Sequence, residues 1–172
     1  MHMLKKIIVL FIICSLISSI SYASSIPFHE GDSDRNITGK QAVLQKQEHQ
    51  TSKVIKITDT ALKLVGVPYK WGGITNKGFD CSGFIWYVFD KNAVHLPRTA
   101  DGQYQVGKSI GFSNLQQGDL VFFTTYEPGA SHSGIYLGKG NFIHTSSRRG
   151  VMVSNLTDSY WKTKYIGARR II

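Results

Sequence analysis

From Ile7 to Ile20 the chain is apolar apart from scattered serines, with Cys14 in the middle. From Ser24 to about Ser52 that pattern disappears. The stretch is polar and mixed, with Gly-Asp-Ser-Asp and glutamines, and reads as a tether or poorly ordered arm. At Val54 a helical period begins: Val54, Ile57, Ala61, Leu62 and Val65 predict an amphipathic helix ending at Gly66. A glycine-rich loop follows, VPYKWGGITNKGFD. The run CSGFIWYVFDKNAV is apolar enough for a buried helix with Phe84, Ile85, Val88 and Phe89 inward. Asp80 stands at its N-cap position, which puts Cys81 in the first turn. Pro97-Arg98 opens a further short helix towards Tyr104. Leu120 to Phe123, Gly134 to Leu137, Asn141 to Thr145, Val151 to Ser154 and Tyr165 to Arg170 are short β-type runs between glycine-bearing turns. Helices first and strands second predict an α+β fold, with helices packed on an antiparallel sheet. No internal repeat is visible.

The first residues change the picture of where the domain begins. Met1 to Lys6 carries two lysines and no acid, and Ser21-Tyr22-Ala23 is a small-x-small site. With the apolar run between them, residues 1–23 are predicted to be a secretory signal peptide. A spanning helix needs about 20 apolar residues, more than this run supplies. The organisation expected is therefore a signal peptide at 1–23, a polar arm at 24–53 and a domain at 54–172. Lipid attachment at Cys14 would instead give peripheral membrane association. Ile13 argues against it, because a small residue is general at that position. Removal of Lys5 and Lys6 would lower the net charge from +9 to +7. A basic exported protein leans towards anionic surfaces such as wall polymers or lipid headgroups. No stacking-aromatic or helix-turn-helix pattern supports a nucleic-acid partner.

Of the two cysteines, Cys14 lies in the segment expected to leave, so Cys81 would be a lone thiol in a compartment that favours disulfides. At a helix N-terminus a thiol meets the positive end of the macrodipole, which lowers its pKa from about 8.5 to roughly 3.5–7.5. The same turn offers backbone N–H groups to an oxyanion. Ser82 and Gly83 would leave room for a substrate. The residues alone leave open whether Cys81 is a nucleophile or a structural cap.

A cysteine nucleophile needs a base. His2 leaves with the signal, His29 and His49 lie in the arm, and His95 follows the cysteine helix as a surface residue. His132 and His144 flank a hairpin, SHSGIYLGKGNFIHTS. With Gly138-Lys139-Gly140 as a three-residue loop, Leu137 pairs with Asn141 and Gly134 faces His144. His132 is then a diagonal neighbour on the same face, about 7–8 Å away between backbones. A two-residue loop would put the imidazoles on opposite faces. In the odd register His132 is a candidate base and His144 the residue that orients it. Two unrelated strand histidines are the other reading. Zinc on Cys81, His132 and His144 lacks a fourth ligand and any CxxC or HExxH spacing, so no metal is assigned.

The stretches PYKWGG, FDCSGF, LPRTADGQY, LQQGDLVFF and HSGIYLGKGNFIH, in this order, resemble the NlpC family of bacterial cell-wall cysteine endopeptidases. The resemblance runs from about Val54 to Ile172, and the ending resembles the smaller enterobacterial-type members. It implies a papain-like α+β core. It also implies that Cys81 is the nucleophile, His132 the general base and His144 the orienting residue. Tyr69 would lie near the oxyanion, and Asp80 and Ser82 would line the substrate pocket. A branched apolar residue is usual in the family where Ser133 stands, a departure expected to be tolerated.

The resemblance further implies hydrolysis of peptidoglycan stem-peptide or crosslink amides involving diaminopimelate. No cofactor or metal is implied, and the place of action would be the periplasm or cell envelope. A silent wall-binding module and a secreted effector against a competitor's wall are the alternatives. Trp71 is read as a core aromatic, and Arg148-Arg149 and Arg169-Arg170 as solvated charges. The loop at Tyr126-Glu127-Pro128 varies across the family and is read as uninformative about substrate. Gly72, Gly73 and Gly78 are assigned to backbone geometry.

Overall fold

A computed structural model describes residues 33–172. The signal segment, Cys14 and His29 lie outside the described residues. The chain divides after Thr38, and Gly39–Ile172 forms one unit.

Helix α1 runs Ser33–Leu62, which corrects the reading of the polar stretch as poorly ordered from Ser33 onward; residues 24–32 of that stretch lie outside the described residues. Side chains 39–52 are all exposed, so this part of the helix has no buried face for a periodicity search to find. Its Lys, Gln, Ala and Glu residues are nonetheless good helix formers. Only the last turns pack: Ile57 and Ala61 are fully buried, while Leu62 and Val65 stay about half exposed. The helix also stops at Leu62 rather than at Gly66. Beyond it, Gly66 takes φ +89° and donates its N–H to Val151 O at 2.9 Å, and Val151 N–H returns to Val67 O at 2.8 Å. Those bonds anchor the glycine-rich loop to the sheet. Within it, Ile74–Thr75 (β1) and Gly78–Phe79 (β2) pair as a small ribbon.

Helix α2 spans Cys81–Asp90, capped by Asp80, whose carboxylate accepts from Gly83 N–H at 2.7 Å. Phe84, Ile85, Val88 and Phe89 are fully buried, as their spacing predicts. Helix α3 is shorter than expected. It covers Ala100–Tyr104 and starts after Thr99, whose hydroxyl caps Gly102 N–H.

Strands β3 (Lys108–Ile110), β4 (Leu120–Phe123), β5 (His132–Gly138), β6 (Asn141–Ser146), β7 (Gly150–Asn155) and β8 (Tyr165–Arg170) form one antiparallel sheet in the order β3-β8-β4-β5-β6-β7. Both faces are covered, so β4 is buried at every position. Leu120 and Phe122 meet α2, while Val121 and Phe123 meet a second cluster with Phe142, Leu156 and Ala168. That second face is closed by Trp161 on α4, Ser159–Lys164. Helix α4 and strand β3 were not legible from periodicity.

Arg169 and Arg170 are not the solvated charges expected. Arg170 forks onto Asp119 through two bonds of 2.8 Å, and the Asp119 side chain is 2% exposed. Arg169 stacks 4.1 Å over the Tyr104 ring. The interior strand carries them to partners that residue type alone does not announce. Asp119→Ala would leave a partly buried guanidinium unpaired. It is expected to cost about 3 kcal/mol in a urea titration, and a loss below about 0.5 kcal/mol would contradict that account.

Candidate active site

Asp80 caps α2 and so fixes where the Cys81 side chain begins. Cys81 is 8% exposed. Its thiol points at Ser131 O, 3.9 Å away, and the Ser133 N–H faces it from the other side of His132. The sulfur therefore lies on the backbone that flanks His132. Sequence reasoning expected the helix N-terminus to lower the thiol pKa. Burial dominates instead and, with the Asp80 carboxylate beside it, pushes the thiol up to about 11 against the N–H groups of Ser82, Ser133 and Cys81.

The two histidines meet as the odd register requires, by a different route. The hairpin tip is a two-residue turn, with Gly138 opposite Asn141. Lys139 and Gly140 both take positive φ, 52° and 79°, as a type I′ turn demands. An unpaired Leu137 between Tyr136 and Gly138 forms a bulge that restores the register, so Ile135 faces Ile143. His132 Nε2 then lies 2.9 Å from His144 Nδ1, which leaves His132 Nδ1 outside that bond. Burial pushes His132 down to about 4. It pushes His144 down to about 3, with His132 and Arg149 adding to the effect. At neutral pH the site rests as a thiol and two neutral imidazoles.

Tyr69 is held by a bridge to Phe79 and lines the cleft beside Cys81. Burial first, then charge at Cys81 and at Asp80, raise its phenol pKa, so the hydroxyl stays a donor. Asp80 and Ser82 also line the cleft but are already engaged. Arg98 pairs with the Asp80 carboxylate and donates to Ser82 Oγ at 3.0 Å. Gln103 holds Ser82 O at 3.0 Å. Arg98 and Gln103 escaped sequence reasoning, because their partners lie across a loop.

Gly83 does not make room for substrate. A Cβ there would come within 2.1 Å of Gly73 O, so the glycine admits the Gly73 backbone. Gly72 with φ +71° and Gly78 with φ +152° do serve backbone geometry. Ser133 is fully buried, and its hydroxyl has no partner among the described residues.

The cleft holds about 490 Å³, bordered by Tyr69, Trp71, Cys81, Arg98, Asp101, Tyr126 and Glu127. Trp71 is 74% exposed and meets Tyr126 edge-on at 6.2 Å. This overturns its assignment to the core, and it brings the supposedly uninformative loop to the rim. A cavity of similar size, about 530 Å³, opens elsewhere, lined by Gln47, Gln50, Gln116, Gln117 and the Asp119–Arg170 pair. Its lining holds no thiol or imidazole, its Thr51 hydroxyl is bonded to Gln47 O and its carboxylate, Asp119, is engaged by Arg170, so chemistry rather than size selects the Cys81 cleft.

Two contributors to the histidine pair were missed. Trp161 stacks on His132 at 5.4 Å and meets His144 edge-on at 4.8 Å. Ser154 Oγ lies 3.0 Å from His144 Nε2. The parity of β7 puts Ser154 on the face that carries His144, a signal available once the register is known. His95 points away, 86% exposed and beside Asp90, and His49 is exposed on α1. Arg148 and Arg149 are exposed in the turn before β7. Among the described residues no helix is long and apolar enough to cross a membrane, and no three His, Cys, Asp or Glu side chains form a metal-holding group.

Residues 66–170 match the NlpC/P60 family model. The chain is 51% identical over 117 residues to the "Probable peptidoglycan endopeptidase LytE" of Bacillus subtilis, covering 68% of this chain and 34% of that protein. It thus spans about a third of LytE's length. It is 36% identical over 146 residues to the murein DD-endopeptidase MepS/murein LD-carboxypeptidase of Escherichia coli K12, covering 80% of this chain and 77% of that protein. Among solved structures, an NlpC/P60 family protein from Bacillus cereus superimposes with TM-score 0.64 at 33% identity, over 68% of this chain and 39% of that one. The peptidoglycan hydrolase RipB of Mycobacterium tuberculosis gives 0.62 at 30%, over 71% and 66%. The helix-borne cysteine, the six-stranded sheet and these likenesses agree: the chain belongs to the NlpC/P60 family.

Proposed function

We propose that the protein is a cysteine-type endopeptidase of peptidoglycan. The observation that carries this reading is the hydrogen-bonded pair of His132 and His144 placed beside a buried Cys81 at a helix N-terminus. In this mechanism His132 Nδ1 takes the thiol proton as Sγ attacks an amide carbonyl of a wall peptide. The Cys81 N–H and the Tyr69 hydroxyl receive the developing oxyanion. His132, held by His144, then protonates the leaving amine. It later activates the water that releases the acyl group. Asp80 and Ser82, fixed by Arg98, form the wall on the substrate's amino-terminal side.

The amide is one that involves diaminopimelate, either the γ-D-glutamyl link within a stem or the D-alanyl crosslink. Relatives of different printed specificity match the chain, a gamma-DL-glutamyl hydrolase of Bacillus subtilis and the Escherichia coli murein DD-endopeptidase, so both bonds stay within the proposal. Export by residues 1–23 to the periplasm or cell envelope belongs to the same proposal. Digestion of purified wall sacs and defined muropeptides, read by mass spectrometry, tests it. New amino termini would name the bond. Intact muropeptides under reducing conditions at pH 5 to 9 would refute the peptidase and favour a wall-binding module.

The resting protonation states set an expected pH dependence. Between them the reactive pair holds one transferable proton, the thiol's; it gains a second below the His132 pKa of about 4 and loses the first above the thiol pKa of about 11. Activity should therefore be level between pH 6 and 9 and fall as pH drops towards 4, because a protonated His132 is no base. Stability follows the same sign. Both histidines are depressed on folding, so the unfolded chain takes up more protons as pH falls below about 6.5. Circular dichroism at each pH separates unfolding from titration. A bell whose limbs lie between pH 6 and 8 in folded protein would contradict the neutral resting pair.

A further inference from the structure

Ser154 stands beyond the nucleophile, the base and the orienting histidine. It lies on β7 with its hydroxyl 3.0 Å from His144 Nε2. We infer that Ser154 is the terminal acceptor of this chain, a positioning residue that holds His144, and through it His132, in the tautomer able to receive the thiol proton. The inference rests on the proposed pairing of Cys81 with His132.

The argument follows the protons. To accept from the thiol, His132 must present a bare Nδ1, so its one proton sits on Nε2. That N–H points at His144 Nδ1, 2.9 Å away, which must therefore be bare. A neutral His144 then carries its proton on Nε2 and donates it to Ser154 Oγ. Every link is directed, because a neutral imidazole has one proton to place.

The reversed chain has His144 Nδ1–H donating to His132 Nε2 and His132 Nδ1–H aimed at the thiol. It cannot take a proton from Cys81. Ring flips offer no escape. Phe142 stacks on His144 at 5.0 Å and 27°, and Trp161 packs against both imidazoles. A flip of either ring would put a carbon where its bonded nitrogen stands and break the 2.9 Å bond, so the two chains differ by proton positions.

A hydroxyl serves the productive chain by accepting. Alanine at 154 would leave the Nε2–H of a 2% exposed histidine without a partner in that chain. The reversed chain would leave only a bare nitrogen. Orphaned buried N–H groups are the rarer and costlier kind, so Ser154→Ala shifts the population towards the reversed chain. When His132 takes on charge during attack, its polarised N–H bonds extend to the same acceptor, so the loss falls on kcat.

The test is 15N NMR of the imidazoles together with muropeptide kinetics for wild type, Ser154→Ala and Ser154→Thr. Wild type is expected to show the Nε2–H tautomer at both His132 and His144. Ser154→Ala should gain Nδ1–H at both and lose about tenfold in kcat with KM unchanged. Ser154→Thr, which keeps the hydroxyl, should restore both readouts. An alanine variant with wild-type tautomers, or a threonine variant as slow as alanine, would overturn the inference. Hydrolysis by none of the three would count against the peptidase reading, and the tautomer spectra of the same samples would still decide the role of Ser154.

Discussion

Replacing Cys81 with alanine is expected to lower kcat on muropeptides by roughly 10⁵–10⁶-fold with KM little changed. The reason for the asymmetry is geometric. The proposed substrate would meet a cleft whose walls are Tyr69, Trp71, Arg98 and Tyr126, and none of them depends on the sulfur for its place. Asp80 is held by Arg98 and by the α2 cap, and Ser82 by Arg98 and Gln103. The variant thus keeps its binding surface and its backbone N–H donors and loses only the attacking atom. The neighbouring charge points the same way. The Asp80 carboxylate disfavours a thiolate at Cys81, so the variant loses an attacking group without losing a favourable ground-state contact. Single-turnover assays on muropeptides, with binding measured in parallel, check both halves. Retention of more than about a hundredth of the wild-type rate would remove Cys81 from the mechanism, and a large rise in KM would show that the sulfur also holds the substrate.

The reading of Cys81 shows which parts of the site were legible in sequence. The N-cap at Asp80 and the inward face of α2 follow from local rules, and both hold in the structure. The thiol pKa does not follow from them. The dipole argument leaves out burial against β5, which only the fold supplies, and the charge of the Asp80 carboxylate that the same cap places beside the thiol. The histidine pair was legible as a condition on register. What the sequence left undetermined was the means, a two-residue turn with a bulge at Leu137 in place of a three-residue loop. Both routes return the same parity beyond Tyr136, so the prediction of a shared face survived an error in the turn. Trp161 was out of reach. It sits on a six-residue helix, too short for a period, and its value comes from covering both imidazoles at once. The long N-terminal helix was missed for the opposite reason: its exposed first half has propensity but no buried face.

Gly83→Ala is expected to be strongly damaging for so small a substitution. A methyl group there would lie 2.1 Å from Gly73 O, 2.9 Å from Asp80 Oδ1 and 3.1 Å from an Arg98 guanidinium nitrogen. The first of these is a backbone atom, so no side-chain rotation relieves the clash. Gly73 cannot withdraw freely either. Its carbonyl accepts from Asp80 N–H at 3.2 Å, and its own N–H is bonded to Lys70 O at 2.9 Å. The strain must therefore move either the loop that carries Tyr69 and Trp71 or the first turn of α2 that carries Cys81. Overpacking of this kind costs about 1–3 kcal/mol or more, and a displacement near 1 Å at the nucleophile costs about a hundredfold in rate. The variant is expected to lose about 3 kcal/mol in a urea titration and about a hundredfold in kcat while its far-UV spectrum stays native. Cys81→Ala is the control that separates the two effects, since it should abolish turnover without a comparable loss of stability. A Gly83→Ala protein as stable and as active as wild type would mean that the Gly73 carbonyl does not fix the nucleophile's turn, and that the loop and α2 move independently.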